Sequence, residues 1–137
     1  MTEHKKCEER VNGELKERVE DLRRLWEAYC NGEEDVEDLG NIFEYGLSFD
    51  YVPRGTFNGQ KESYFRYQLS WGGPSDEFRF FTGPDFYPHR IEYWFLDWFD
   101  GANKVLRGKN EAFMLEIFDW FKECGSVQAE FEKAMEE

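Results

Sequence analysis

Aromatic residues are concentrated in one stretch of the chain, residues 64–99. This stretch reads YFRYQLSWGGPSDEFRFFTGPDFYPHRIEYWFLDWF and holds 14 of the 26 Phe, Tyr and Trp residues. Large aromatic side chains bury more apolar area than most other residues, so a stretch this rich in them has to pack against the rest of the protein. We therefore expect it to form the sheet on which the other elements lie.

Alternation of apolar and polar residues predicts four strands, at residues 45–52, 64–71, 77–81 and 91–98. In the second strand, Phe65, Leu69 and Trp71 fall on one face, while Arg66 and Ser70 fall on the other, as expected for a half-buried strand. The GGPS sequence after Trp71 is short enough for an antiparallel hairpin. Residues 90–99 also fit a helical stripe, but their aromatic content favours a strand.

Apolar residues at steps of three and four predict helices at residues 13–31 and 109–124 and a short last helix from Ser126. Residues 1–12 mix both charges with little apolar content, and we expect them to fray. The chain is thus predicted to form one α+β domain over residues 1–137, with a four-stranded antiparallel sheet packed by an N-terminal helix and C-terminal helices. Four aromatic residues on the opposite sheet face would need a cover or a partner: Tyr64, Phe81, Trp94 and Trp98.

Length, cysteine usage and hydropathy favour a soluble protein of the cytoplasm. The 137 residues suffice for one core without disulfides or metals. Three cysteines at unrelated spacings, Cys7, Cys30 and Cys124, indicate free thiols in a reducing compartment. The chain begins with a charged segment, and no run approaches the 18 or so apolar residues that a membrane span needs.

Negative charge is the strongest surface signal. The chain carries 30 acidic and 17 basic residues, a net charge of −13, which repels nucleic acid and anionic membranes and favours basic surfaces. Between Leu25 and Pro53 there are acidic residues and no Lys or Arg. The acids of this run are the candidate partner-binding residues: Glu27, Glu33, Glu34, Asp35, Glu37, Asp38, Glu44 and Asp50. The alternative is a solvated face that only keeps an aromatic-rich domain soluble.

Residues that could support catalysis or metal binding are sparse. His4 and Cys7 have the spacing of two zinc ligands, but a zinc site needs four groups, so we predict no metal and no cofactor. His89 lies in a predicted loop without an evident nucleophile, so we predict no catalytic residues and no enzyme activity. Asp97 and Asp100 provide the main alternative, a carboxylate pair of a small hydrolase or ligand-binding domain in which Trp98 stacks on a sugar.

An acidic run beside an aromatic core, in a small chain without a cofactor motif, resembles in type the DNA-mimic inhibitors of phages and plasmids, the anti-restriction and anti-CRISPR proteins. The resemblance rests on the acidic run and not on a shared motif. It implies a binding protein that occupies a basic, nucleic-acid-binding surface of a partner protein and does not itself bind nucleic acid. Besides the hydrolase, a third hypothesis is an adaptor domain that docks a partner through exposed aromatic residues.

Overall fold

The structure, a computed structural model, describes residues 6–33 and 35–136, and in them five antiparallel strands form one sheet. The strands are β1 (Ser48–Val52), β2 (Tyr64–Ser70), β3 (Ser75–Thr82), β4 (Pro88–Asp97) and β5 (Asp100–Val105). They lie in the sheet in the order of the chain, so each connection is a hairpin or a short loop. The α+β class and the antiparallel sheet are confirmed, and residues 90–97 belong to strand β4, as the aromatic content indicated.

The fifth strand was not predicted. The turn lies at Trp98 and Phe99, and β5 then pairs along β4 from Asp97 opposite Asp100 to Glu92 opposite Val105. Its sequence, DGANKV, has few of the residues that favour strands, and most of its side chains are exposed. The backbone pairing with β4, rather than side-chain burial, therefore makes this edge segment a strand.

The described helices are α1 (Cys7–Cys30), α2 (Ile42–Tyr45), α3 (Gly108–Glu123) and α4 (Ser126–Met135). The prediction that residues 1–12 fray is wrong for residues 7–12, and residues 1–5 lie outside the described residues. Cys7 and Val11 are buried, so the apolar stripe of α1 begins a turn and a half before Gly13. A carboxylate oxygen of Asp100 accepts the backbone N–H of Cys7 at 2.7 Å, which satisfies a free donor of the first turn.

The single-turn helix α2 replaces the predicted start of β1. Asn41 caps it, since its side-chain oxygen accepts the backbone N–H groups of Phe43 and Glu44 at 3.0 and 3.1 Å. Gly46 follows, and it packs so closely on the ring of Tyr67 that a Cβ at this position would lie 2.2 Å from a ring carbon. Any larger residue would therefore force the Tyr67 ring or the backbone at Gly46 to shift.

The core lies between one face of the sheet and the helices. Phe118 of α3 is fully buried, with its ring 5.6 Å from that of Phe65 and 4.9 Å from that of Phe80. From α4, Phe131 packs edge-on against Tyr51 at 5.1 Å. The aromatic stretch thus forms the wall of the core, as the sequence predicted.

Arginines cover the opposite sheet face. The guanidinium carbon of Arg79 lies 4.8 Å from the ring centre of Tyr64 and 3.9 Å from that of Trp94. That of Arg90 lies 4.0 Å from the ring centre of Phe81. Tyr64 and Phe81 are buried as a result, so these aromatics need no helix or partner to cover them.

Trp71 does not lie on the inward face of β2, where the alternation placed it. Strand β2 ends at Ser70, the pairing with β3 shifts register between Gln68 and Ser70, and Trp71 is 78% exposed in the hairpin loop. The irregularity breaks the two-residue period on which the prediction depended.

We expect Phe118→Ala to lower the free energy of unfolding by about 3 to 5 kcal/mol, because it removes a large buried ring. Trp71→Ala should change it by less than about 0.5 kcal/mol, because the indole is exposed. Urea titrations of both variants and the wild type measure the difference. A cost below about 1 kcal/mol for Phe118→Ala would contradict the packing described above.

Candidate functional site

Two of the eight predicted contact residues are neutralised by arginines from outside the acidic run. Asp38 receives two hydrogen bonds from Arg24, at 3.1 and 2.7 Å, on the protein surface. Asp50 receives two from Arg66, at 3.0 and 2.8 Å, across the β1–β2 pair. These two carboxylates therefore have basic partners, although no Lys or Arg lies within the run itself. Glu34 lies outside the described residues.

The other five acids are exposed and form no ion pair with any described residue. They are Glu27, Glu33, Asp35, Glu37 and Glu44. They come from the last turn of α1, the segment that follows it, and α2. The described carboxylates of the run that lack an ion-pair partner thus lie at one corner of the fold.

Two of these acids, Glu33 and Asp35, line an open groove of about 450 Å³ between the end of α1 and the segment leading into α2. Leu25, Val36 and Ile42 are among its apolar lining residues. The remaining lining residues are Ala28, Tyr29, Gly32, Gly40, Asn41 and Phe43. No Lys or Arg of the described chain lines it. We call it the acidic groove.

Local backbone hydrogen bonds give the acidic groove its shape. Gly32 has a φ of +79° and turns the chain after α1. Val36 and Gly40 exchange two backbone hydrogen bonds, at 2.7 and 2.9 Å, which close a tight loop. The Asn41 amide, whose oxygen caps α2, donates to Asp35 at 3.4 Å. The loop that carries the carboxylates is therefore held to both helices.

Exposed aromatic rings adjoin the carboxylates. Phe43 is 65% exposed, and its ring lies 5.6 Å from that of Tyr29 and 5.3 Å from that of Trp120. Phe43 also lines a second groove of about 220 Å³, together with the exposed Leu47. The carboxylates thus lie beside a continuous apolar surface. Phe43 was missed in the sequence, although Asn41 followed by Glu44 has capping-box spacing and marks α2.

A buried ion pair elsewhere in the fold is fully engaged. Arg18 donates to both carboxylate oxygens of Asp76 at 2.7 and 3.0 Å, and Asp76 also accepts the hydroxyls of Tyr93 and Ser70 at 2.6 and 2.5 Å. Burial opposes the charge of Arg18, but the hydrogen bonds that Arg18 donates to Asp76 and Tyr45 outweigh this effect and raise the pKa of Arg18. Burial also raises the pKa of Tyr45 to about 12. This network ties α1 to the sheet and gives the carboxylate of Asp76 four hydrogen bonds.

Asp97 and Asp100 are used to hold α1. Arg10 donates to Asp97 at 2.7 Å, and Asp100 accepts the backbone N–H of Cys7. That hydrogen bond is the main cause of the lowered pKa of Asp100. A general acid needs a pKa raised towards the working pH, so the geometry does not favour the acid–base pair of a hydrolase.

The exposed aromatics required by the adaptor hypothesis lie at two neighbouring hairpin tips. Trp98 is 84% exposed, and Phe99 and Trp71 are exposed as well. Strands β2 and β4 run in the same direction and terminate at the same end of the sheet. The tips of the β2–β3 and β4–β5 hairpins therefore lie side by side. Trp98 has a φ of +58°, a conformation that residues other than Gly rarely adopt.

The histidine and cysteines of the described chain form no metal site. His89 is exposed near the start of β4, and His4 lies outside the described residues. Within residues 6–33 and 35–136, no three His, Cys, Asp or Glu side chains are grouped as metal ligands would be. Burial and the neighbouring Asp100 raise the pKa of Cys7, which makes this thiol less reactive.

No protein-family model, no curated protein and no solved structure matches this chain. None of the described helices combines the length and the apolar character needed to cross a bilayer. The residues and geometry of the chain itself must therefore support any functional proposal.

Asp100→Asn should destabilise the protein at neutral pH, and the loss should shrink on acidification. Because folding lowers the pKa of Asp100 from its ordinary value of 3.8, its contribution to stability is complete above that value and is lost as the pH falls through the folded pKa. Urea unfolding at pH values from about 7 to about 2 measures the difference from wild type. Asp119→Asn, on the exposed side of α3, is the control. A difference that stays constant down to the lowest pH would contradict the role of the Asp100 carboxylate.

Proposed function

We propose that this protein is a binding protein that docks a basic, nucleic-acid-binding surface of a partner protein onto the acidic groove. The observation that carries the proposal is the groove lining, which joins carboxylates to an apolar floor and includes no Lys or Arg of the described chain. Such a lining complements Lys and Arg, whose side chains combine an apolar stem with a charged head.

A basic side chain can satisfy both parts of this lining at once. Its stem can lie on Leu25, Val36 and Ile42, while its head reaches Glu33 or Asp35. A guanidinium can also stack on an exposed ring such as that of Phe43, an interaction worth about 0.5 to 1 kcal/mol at exposed sites. The acidic groove therefore favours arginine-rich over merely hydrophobic partners.

The DNA-mimic hypothesis extends the binding of one basic side chain to the binding of a whole basic surface. Carboxylates spaced over a rigid corner present to Lys and Arg a field like that of phosphates, so a protein built to bind nucleic acid is a suitable partner. The proposed contacts are Glu27, Glu33, Asp35, Glu37 and Glu44. Asp38 and Asp50 are left out, because Arg24 and Arg66 already neutralise them.

The acidic groove accounts for part of a stable interface. Specific complexes bury roughly 800 Å² on each partner, and aromatic residues at the centre commonly contribute most of the affinity. Phe43 and Leu47 extend the apolar surface beyond the carboxylates towards the second groove. We therefore place Phe43 at the centre of the interface and the five acids around it.

The test compares two triple charge reversals with the same change in net charge. Glu33→Lys, Asp35→Lys and Glu37→Lys remove the acids at and beside the acidic groove. Glu17→Lys, Glu20→Lys and Glu116→Lys change exposed acids elsewhere on α1 and α3. We expect the first set to weaken binding of a fluorescent arginine-rich peptide at least about tenfold, measured by anisotropy, and the second set to weaken it less than about threefold. Wild-type affinity should fall steeply between about 50 and 200 mM salt.

Equal weakening by both sets would show that only net charge matters, and no weakening by the first set would show that the acidic groove is a solubility device. Both variants should keep wild-type unfolding midpoints to within a small shift, since exposed charges contribute roughly 0 to 1 kcal/mol each. Phe43→Ala measures how much the aromatic ring contributes to the affinity for the peptide. A further experiment tests whether the partner is a nucleic-acid-binding protein. If a protein is retained by the wild type and not by the first triple variant, we expect double-stranded DNA to release it.

A further inference from the structure

A cluster of basic residues lies at one end of this acidic protein. The connection between β1 and β2 and the facing ends of β3 and β4 enclose an open groove of about 270 Å³. Its lining consists of Arg54, Lys61, Glu62, Ser63, Thr82 and His89. We call it the basic groove. It lies where β1 and β3 end and where β2 and β4 begin, so it is opposite the sheet end that carries the Trp71 and Trp98 hairpin tips.

The basic groove keeps its positive charge. Glu62, the one acid in the lining, forms an ion pair with Arg90, which also pairs with Glu92. Arg54 and Lys61 form no ion pair with any described residue. Arg90 is shared by two carboxylates, so the three cations Arg54, Lys61 and Arg90 exceed Glu62 and Glu92 by one positive charge, and Arg54 and Lys61 remain available to attract an anion.

The lining side chains other than Glu62 can all donate hydrogen bonds. Arg54 offers a planar fork of N–H groups, Lys61 offers an ammonium, and Ser63 and Thr82 offer hydroxyls. His89 adds a ring N–H. Several donors converging from different elements suit the three or four oxygens of a phosphate group, for which arginine forks and ammonium groups are the preferred partners.

Internal hydrogen bonds hold the connection that carries the two cations. The Thr56 hydroxyl donates to the Pro53 carbonyl at 2.6 Å, and the Gln60 amide donates to the Glu62 carbonyl at 2.8 Å. The Gln60 side-chain oxygen also accepts the backbone N–H of Phe57 at 3.0 Å. Arg54 and Lys61 thus project from a braced loop, which lowers the entropy that binding an anion would cost.

We propose that the basic groove binds the phosphate group of a small phosphate-bearing molecule. Its volume lies below the roughly 300 to 1,000 Å³ typical of sites that enclose a whole ligand, so the remainder of the molecule stays outside. The net charge of −13 repels long polyanions, which favours a small ligand over a nucleic acid. This site is separate from the acidic groove and stands independently of the proposed partner.

Titration with inorganic pyrophosphate at constant ionic strength tests the proposal, with backbone amide shifts followed by NMR and affinity measured by calorimetry. We expect saturable shifts in residues 53–63 and 82–89. Arg54→Gln combined with Lys61→Gln should weaken binding at least about tenfold, since two charge-assisted hydrogen-bonding groups are lost. Lys16→Gln combined with Lys122→Gln removes the same charge from exposed helical positions and should leave the affinity within about twofold.

Three further ligands define the site: acetate, inorganic phosphate and adenosine monophosphate. Acetate at the same ionic strength should give no saturable shift. If acetate bound as tightly as pyrophosphate, the groove would have only a general attraction for anions and the proposal would be overturned. Adenosine monophosphate distinguishes the sources of the phosphate: tighter binding than inorganic phosphate indicates an organic ester, and equal binding indicates free phosphate. The proposal would also be overturned if pyrophosphate shifted no amide signals in residues 53–63 and 82–89, or if the two double variants bound pyrophosphate with equal affinity.

Discussion

Three carboxylates at one end of the sheet fix the position of α1, and the acidic groove depends on that position. Asp100 of β5 accepts the Cys7 backbone N–H, Asp97 of β4 accepts from Arg10, and Asp76 of β3 accepts from Arg18. These contacts lead α1 across the strands from β5 towards β1. Its last turns therefore reach the β1 side of the sheet, where Tyr29 meets Phe43 and Trp120.

The position of α1 is stabilised because the buried carboxylate of Asp76 accepts its full number of hydrogen bonds. Removing water from Asp76 is costly, and the Coulombic attraction of Arg18 alone does not always offset the loss of solvation. The hydroxyls of Tyr93 and Ser70 supply the remaining hydrogen bonds, so the buried carboxylate is fully partnered. One consequence is specificity, since a shifted α1 would leave the Asp76 charge buried without its cation.

Sequence patterns predicted those elements whose burial is periodic. The α+β class, β2, β4 and α3 follow from apolar side chains at steps of two or of three and four. Strand β5 was missed because its backbone pairing, not its side chains, makes it a strand, and Trp71 was misplaced because a register shift interrupts the period. The single-turn α2 is too short to show a period and is marked by its capping residue, Asn41.

The candidate sites were less predictable, because charge neutralisation depends on residues far apart in the chain. Arg66 neutralises Asp50 only because β1 and β2 pair with these two residues directly opposite. Arg24 reaches Asp38 because the chain folds back beside α1. The basic groove likewise joins Arg54 and Lys61 to His89 through the sheet register. A sequence shows which charges exist, but only the fold shows which of them are already paired.

The pairing pattern separates the acids that hold the fold from those that do not. The buried carboxylates of the described residues have arginine partners: Asp76 with Arg18, Glu77 with Arg79, and Glu92 with Arg90. The acids at and around the acidic groove, such as Glu33 and Asp35, are exposed and have no such partner among the described residues. Their mutual repulsion opposes folding slightly, so stability gives no reason to group them. A solubility requirement would be met equally well by acids spread over the surface. Their concentration beside exposed aromatic rings is therefore the observation on which the proposed partner-binding role rests.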